Sequence, residues 1–386
     1  MIRTVTVVSS SRADYSHLYW PLRELASHPD VTLRIVVLGP HLAAEFGHSA
    51  RQFELDGFTI DARIECLLNS DTDVGMAKTI GLATLSLADY LGANRPDLLL
   101  LTADRYEMLA PASVALALRI PLAHIEGGEV SEGAIDDAVR NALTKLSHVH
   151  FTSTARARNR VIAMGEEEWR VHHTGAPSLD HLRRSRLLGR TELEAALDVD
   201  LRGPTVMVAY HPATLARNTL READALFEAL EATAGHLLFC HPNADAGSHA
   251  LAARTEAFLR DRGSGRMFVN LDPVMYWSLL QHAEVIVGNS SSGIMEAASF
   301  ALPAVDVGMR QQGRERGRNV LHADPEKTSI LTMLGTARNE SFRRSLQGMD
   351  NPYGDGAAAQ RIAAVLASVI LGEPLLFKRG PPPPAT

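Results

Sequence analysis

The chain is predicted to be an α/β protein built as two doubly wound domains with a central cleft, and three observations lead there. Short apolar runs alternate with amphipathic stretches of helical period, the pattern of parallel strands joined by crossover helices. That alternation breaks near His172-His173-Thr174-Gly175-Ala176-Pro177-Ser178, where Gly and Pro interrupt regular structure, and then starts again. Apolar residues form 46% of the 386 positions and charged residues 22%, which supplies cores for two or three domains of roughly 150 residues each.

In chain order, the first set of strands is expected at Thr4 to Ser9, Thr32 to Leu38, Leu98 to Thr102, Leu122 to Glu126 and His150 to Thr152. Between them, Met108 to Leu118 reads as a helical stretch, and His17 to Ala26 and Asp137 to Leu146 as amphipathic helices whose apolar residues recur at three and four positions. The second set comprises Val206 to Tyr210, Leu237 to Cys240, Met267 to Asn270, Val285 to Gly288 and Ala304 to Val307, with a helix over Ala223 to Ala234. The boundaries that follow are a Rossmann-like domain over 1–175 carrying acidic site residues and a second Rossmann-like, nucleotide-binding domain over 176–356. A helix over 357–372 is expected to cross back to the first domain, and 378–386, with its four consecutive prolines, to be a disordered tail.

Composition narrows the function. A net charge of −7 argues against a general nucleic-acid partner. Cys66 and Cys240 are too few for a disulfide framework or a zinc cluster, so a reducing cytoplasm is expected. The chain opens into a strand with no apolar leader, and the most apolar window, Met108 to Ile125, is broken by Pro111, Arg119 and Pro121, so no membrane span is expected. No cofactor is called for, and no spacing of His, Asp and Glu matches a metal motif.

Ligands of open α/β sheets bind beyond the carboxyl ends of the strands, so the residues there carry the chemistry. Asp104 follows the run Leu98 to Leu101, and Glu126 closes the next strand before Gly127-Gly128-Glu129. Two acids at successive strand ends, with a third beside them, read as a reaction site. Asp136 precedes the helix Asp137 to Leu146, with Arg140 four residues on; they are either an N-cap with a helical ion pair or a catalytic carboxylate held by a guanidinium.

Other strand ends suit anions. Asn289-Ser290-Ser291-Ser292-Gly293 opens a helix after Val285 to Gly288, where unpaired amides and hydroxyls can meet a phosphate; plain N-capping explains one of the serines. Glu296, one turn on, is placed to meet a ribose hydroxyl pair. Arg310 heads the basic loop to Arg318, which is either a diphosphate clamp or a solvated face. In Ser9 to Ser16, Arg12 and the hydroxyls can hold a polar group, while Asp14 suits a helix cap. His211 and His241 end two strands of the second domain, a repeated placement that suggests a functional pair, although a single strand-end His is usually structural.

Taken together these segments resemble the UDP-N-acetylglucosamine 2-epimerase family, and its hydrolysing branch more closely. The likeness runs from Ser10-Ser11-Arg12-Ala13-Asp14-Tyr15-Ser16 to Tyr353-Gly354-Asp355-Gly356. It is strongest at Asp104-Arg105-Tyr106-Glu107, His124 to Glu129, Ile135-Asp136-Asp137, Asn243 to Ser248 and Gly288 to Ser291. The resemblance implies the two-Rossmann GT-B fold, Asp104, Glu126 and Asp136 as catalytic acids with His211 as a further catalytic candidate, and a nucleotide-sugar substrate. It implies substrate contacts by Arg12, Ser16, Arg105, Asn243, Ser290, Ser291, Glu296 and Arg310, to which Glu129, Arg140 and His241 are added from their positions. A homodimer or higher homo-oligomer is the family habit.

Two departures separate the chain from the non-hydrolysing branch. His17 stands where that branch has lysine, and Gly39-Pro40-His41 where it has a Gly-Gln-His segment, so activation by a second substrate molecule is not expected. The expected reaction converts UDP-N-acetylglucosamine and water to N-acetylmannosamine and UDP through a 2-acetamidoglucal, for sialic-acid-type sugar synthesis. The alternatives are hydrolysing epimerisation of GDP-N-acetylglucosamine or of a UDP-linked 2,4-diacetamido sugar. More remote are a glycosyltransferase with the same pocket and a non-catalytic nucleotide-sugar sensor.

Overall fold

The computed structural model describes residues 2–68, 70–215 and 220–380. The chain divides into two compact units: Met1–Glu129, Asp136–Asp180 and Tyr353–Thr386 form unit 1, while Val130–Ile135 and His181–Pro352 form unit 2. The division therefore lies at 180/181, a few residues beyond the Gly175 region, and the six-residue stretch Val130–Ile135, which ends on the first residue of the Ile135–Leu146 helix, belongs with unit 2.

Unit 1 contains β1 (Arg3–Ser9), β2 (Val31–Leu38), β3 (Ala62–Ile64), β4 (Leu98–Thr102), β5 (Leu122–Ile125), β6 (Val149–Thr152) and β7 (Val171–His173). Among the described residues they form one seven-stranded parallel sheet in the order β3-β2-β1-β4-β5-β6-β7. All five residues of β4 and all four of β5 and β6 are buried, as expected of central strands covered on both faces. The order reverses between β1 and β4, which makes that edge a topological switch point where ligands of such sheets collect.

One core joins β1 and β4 (Val5, Val7, Leu98, Leu100) to the Arg12–Ser27 helix (Leu18, Leu22, Leu25) and the Ala358–Ser368 helix (Ile362, Leu366). The latter helix is fixed at both ends by side chains of complementary charge. Asp180 accepts from the amides of Ala358 (2.8 Å) and Ala359 (2.9 Å), and Arg3 donates to the carbonyls of Leu366 (3.0 Å) and Val369 (2.9 Å).

Beyond it the chain remains anchored. Arg170 donates to the carbonyls of Leu375 (2.7 Å) and Phe377 (2.7 Å). Lys378 lies 2.7 Å from the buried Glu166 carboxylate and donates to the Ser147 carbonyl at 2.7 Å. The stretch expected to be disordered from 378 thus begins with a held lysine, and its residues 381–386 lie outside those described.

Unit 2 contains β8 (Thr205–Ala209), β9 (His236–Cys240), β10 (Arg266–Phe268), β11 (Val285–Gly288), β12 (Ala304–Val307) and β13 (Val320–Ala323). Among the described residues these make a six-stranded parallel sheet, ordered β10-β9-β8-β11-β12-β13, whose switch point lies between β8 and β11. Separate clusters pack its two faces, one around Phe227, Phe239 and Phe258, the other around Leu193, Leu279 and Leu280. Three strands had no counterpart in the sequence expectation: β3, β7 and β13. The last two form sheet edges beside the Gly175 break and the basic loop. Among the described residues no helix is long and apolar enough to cross a membrane.

Three buried histidines give unit 1 a predictable acid response. Burial pushes His41 down to about 3 and His124 and His148 down to about 4. Unfolding frees them toward 6.5, so below that pH the unfolded chain binds more protons than the folded one. Their contribution is complete above about pH 6.5 and is lost progressively as pH falls through about 4. Thermal melts at pH 7.5 and pH 5 are expected to show a lower midpoint at the acid value; equal midpoints would contradict this.

Candidate active site

In unit 1 the candidate acids stand on strained turns at the strand ends. Ala103, between β4 and Asp104, has φ 54°, and Glu126, directly after β5, has φ 67°. Non-glycine residues in this region cost about 1–3 kcal/mol and persist where their surroundings over-determine them. The surroundings here do so: the Ala103 amide donates to the Ile125 carbonyl at 3.0 Å, and the Glu126 amide to that of Phe151 at 2.7 Å. His124, neutral through burial, donates from Nε2 to the Ala103 carbonyl at 2.8 Å and accepts the Thr144 hydroxyl at 3.4 Å on Nδ1.

Arg140 joins the acids. Its guanidinium pairs with Asp104 through Nη2, while Nη1 donates to the Glu129 carbonyl at 3.1 Å and to Asp137 Oδ1 at 3.4 Å. It is 1% exposed, so these bonds hold Asp104 rigidly; the guanidinium reaches well past the i, i+4 neighbour weighed from sequence. Asp136 lies inside the first turn of the Ile135–Leu146 helix and is buried; it does not precede the helix as an N-cap. Glu129, also buried, accepts from the Tyr353 hydroxyl at 3.4 Å.

The loop after β1 behaves as its cap chemistry predicts. The Ser11 hydroxyl accepts from the Asp14 amide, and the Asp14 carboxylate accepts from the amides of Ser10 (2.7 Å) and Ser11 (3.0 Å), a capping box that starts the helix at Arg12. Arg12 and Ser16 are half-buried on its first turns, and the Ser16 hydroxyl donates to the Ala13 carbonyl at 2.8 Å.

Arg105 is buried and engaged within unit 1. It is 3% exposed, its guanidinium lies 3.2 Å from Glu107 and over the Tyr106 ring at 5.1 Å, and its charge also acts on Asp14. Burial raises the carboxyls of both Asp14 and Glu107 above their ordinary range, while Arg105 pulls each the other way. The Arg105 charge thus acts on two buried acids, Asp14 and Glu107. His41, in the segment that differs from the non-hydrolysing branch, bonds Ser9 (2.8 Å) and Ser49 (2.7 Å) through its two ring nitrogens.

In unit 2 the candidates collect beyond β8, β9, β11 and β12. Asn289, buried after β11, clasps His211 as a strand neighbour would: its Oδ1 accepts the His211 amide at 2.7 Å and its Nδ2 donates to the His211 carbonyl at 2.9 Å. The Asn289 carbonyl in turn accepts Arg310 Nη1 (3.2 Å) and Gln311 Nε2 (2.9 Å). The Asn243 amide donates to His211 Nδ1 at 3.3 Å, which leaves the proton of a neutral ring on Nε2. One asparagine thereby ties together His211, the Ser290 turn and Arg310.

His241 bonds the Pro242 carbonyl through Nδ1 at 2.9 Å. The helix opened by the serines is a single turn, Ser292–Met295, with Ser291 ahead of it and Glu296, buried, just past its end. Any phosphate there would meet individual amides and hydroxyls more than a helix dipole. Elsewhere in the basic loop, Arg316 pairs with Asp306, and Arg314 donates to the Val130 carbonyl at 3.3 Å and contacts the Met295 sulfur. Arg314 and Arg316 are thus tied to unit 2 itself, while Arg310, nearest the end of β12, bonds the Asn289 carbonyl and Arg318 is exposed. Among the described residues no group of three His, Cys, Asp or Glu is arranged to hold a metal.

Two residues gain roles that the sequence does not show. His17 reads in sequence only as a departure from the non-hydrolysing branch, yet its Nδ1 lies 2.8 Å from Glu126 Oε1. Asn289 reads as the start of a phosphate loop, while its position one residue past a strand, next to a serine turn, is where a side chain can imitate a strand partner.

Comparison with known proteins shows the family. Residues 23–367 match the model of the UDP-N-acetylglucosamine 2-epimerase family. The chain is 35% identical to the UDP-N,N'-diacetylbacillosamine 2-epimerase (hydrolyzing) of Legionella pneumophila, over 98% of this chain and 99% of that one. It is 34% identical to the GDP/UDP-N,N'-diacetylbacillosamine 2-epimerase (hydrolyzing) of Campylobacter jejuni, over 83% and 84%. The fold is shared with the crystal structure of UDP-GlcNAc 2-epimerase from Neisseria meningitidis bound to UDP-GlcNAc, at a TM-score of 0.78 and 17% identity, covering 94% and 99%. Two doubly wound parallel sheets of the GT-B type, with acids on one and an Asn-Ser-Ser turn on the other, identify the chain as an enzyme of the UDP-N-acetylglucosamine 2-epimerase family, in its hydrolysing branch.

Proposed function

We propose that the enzyme hydrolyses and epimerises a nucleoside-diphosphate-linked 2-acetamido sugar, with a UDP-linked 2,4-diacetamido sugar of the diacetylbacillosamine type as its substrate. Support for the substrate comes from the Legionella pneumophila and Campylobacter jejuni relatives, both named for that sugar and both at 34% identity or more. UDP-N-acetylglucosamine, giving N-acetylmannosamine for sialic-acid-type synthesis, is the second reading, favoured by the family match over 23–367. With the first substrate the free sugar would serve legionaminic-type acids.

The observation that carries the reaction is the pair of carboxylates on strained turns, Asp104 gripped by Arg140 and Glu126 by its backbone. A sugar C2 proton has no adjacent carbonyl to acidify it. Breaking the C1–O bond first leaves an oxocarbenium-like centre, beside which the C2–H becomes far more acidic. The bonding pair departs with the diphosphate, and Ser290, Ser291, Arg310 and the His211 ring are the groups in unit 2 that can stabilise it. Asp104 or Glu126 then takes the C2 proton, giving the acetamidoglucal. Water adds its hydroxyl to C1 and a proton returns to C2 on the opposite face, with Asp136 assisting. Arg12, Ser16 and Arg105 in unit 1, and Asn243, His241 and Glu296 in unit 2, supply polar contacts to substrate, while Arg140, bonded to Asp104 and to the Glu129 carbonyl, holds that acid in place.

The enzyme is proposed to work in the cytoplasm, where its two thiols stay free, and as a homodimer or higher homo-oligomer.

A panel of UDP-N-acetylglucosamine, GDP-N-acetylglucosamine and the UDP- and GDP-linked 2,4-diacetamido sugars, each incubated alone, tests the proposal. The UDP-linked diacetamido sugar is expected to show the highest kcat/KM, with release of the free C2-inverted sugar and no acceptor required. Fastest turnover of UDP-N-acetylglucosamine would select the second reading; transfer that needs an acceptor would reject both.

A further inference from the structure

We infer that His17 is a positioning residue for Glu126, setting the rotation of its carboxylate; this rests on the proposed role of Glu126 in catalysis. Nδ1 of His17 lies 2.8 Å from Oε1 of Glu126, and the two side chains are only 12% and 5% exposed, so little water competes for the contact.

The backbone leaves that rotation as the freedom still to be fixed. Glu126 itself is left-handed at φ 67°, and its amide is bound to Phe151. At Gly128 (φ 81°) an added Cβ would lie 2.3 Å from the Ala157 carbonyl oxygen, so the chain passes there without room to shift. The last torsion of a glutamate is broad and roughly two-fold, so an unassisted carboxylate presents either oxygen over a wide arc. The His17 ring nitrogen, 2.8 Å from Oε1, biases that torsion toward one setting.

His17 is suited to be that partner because its own place is fixed. It sits on the second turn of the Arg12–Ser27 helix, after the Ser11–Asp14 capping box, and its neighbour Leu18 is fully buried in the unit 1 core. The helix thus carries the geometry of its capped N-terminus to an acid at the end of β5. Catalysis is sensitive to such placement, since a misplacement of about 1 Å can cost about 10²-fold in rate.

The test compares His17→Asn, His17→Gln and His17→Phe with Glu126→Gln in the full-length enzyme, measuring kcat, KM and thermal midpoint. Asn places an N–H near the position of Nδ1, Gln near that of Nε2, and Phe keeps the ring without nitrogen. His17→Phe and His17→Gln are expected to lose about 10²-fold in kcat with KM changed by less than about threefold, while Asn restores most of the rate. Wild-type kcat in His17→Phe, beside an inactive Glu126→Gln, overturns the inference alone. Equal rates for Asn and Gln also overturn it, and that comparison decides the matter if the Phe variant does not fold. Wild-type kcat in Glu126→Gln overturns the role of Glu126 and this inference with it.

Discussion

Replacing Asp104 with Asn, or Glu126 with Gln, is expected to lower kcat by about 10²–10⁴-fold while substrate binding stays nearly intact. The two changes preserve shape and remove only the ability to exchange a proton. An Asn at 104 still offers Arg140 an oxygen acceptor, so the guanidinium that also holds the Glu129 carbonyl keeps its place. A Gln at 126 keeps the left-handed backbone that the Phe151 hydrogen bond secures. A loss confined to kcat therefore reports chemistry and not collapse. Steady-state kinetics with ligand binding followed by calorimetry makes the separation. Near-wild-type turnover in both variants would remove the two acids from the mechanism, whatever the substrate.

The second large effect concerns the backbone at the unit 2 switch point. Gly288 ends β11 with φ 142°, and a Cβ built there would lie 2.1 Å from the Ala209 carbonyl oxygen and 2.6 Å from its carbon. That same carbonyl accepts the amides of Asn289 (3.1 Å) and Ser290 (3.2 Å), so it seats the whole serine turn. Gly288→Ala must push β8 and β11 apart or swing the turn away, and strain plus overpacking should cost about 3 kcal/mol or more. Because Asn289 clasps His211 and receives Arg310, the displacement would reach each candidate diphosphate ligand together. Thermal melting and UDP titration of the variant are expected to show a lowered midpoint and weakened binding; an unchanged midpoint would mean the strands separate at no cost.

What the sequence revealed follows from where information is dense. β4 was legible because a parallel central strand is buried on both sides and must be apolar at every position, as Leu98-Leu99-Leu100-Leu101 is. The acids after β4 and β5 were legible because strand ends are where such sheets bind ligands. Edge strands of three or four residues carry too little period to be seen: Ala62-Arg63-Ile64, Val171-His172-His173 and Val320-Leu321-His322-Ala323 each mix polar and apolar positions. The first helix begins at Arg12, five residues before the periodic stretch, because the Ser11–Asp14 box fixes its start.

Side-chain direction was the harder quantity. Arg105 adjoins a catalytic candidate in sequence, yet turns inward to Glu107, since two buried carboxyls need a cation more than solvent does. Arg140 was paired by helical spacing, while its link to Asp104 spans elements that only folding brings together. The contact of His17 with Glu126 belongs to the same class.

The most direct measurement is to run the enzyme on its nucleotide sugar in D2O and read the free sugar by NMR and mass spectrometry. Elimination followed by hydration predicts one deuterium at C2, inverted configuration there, and one nucleoside diphosphate released for each sugar. A product with its original C2 hydrogen and configuration would contradict the account, because the bond to that hydrogen would never have broken.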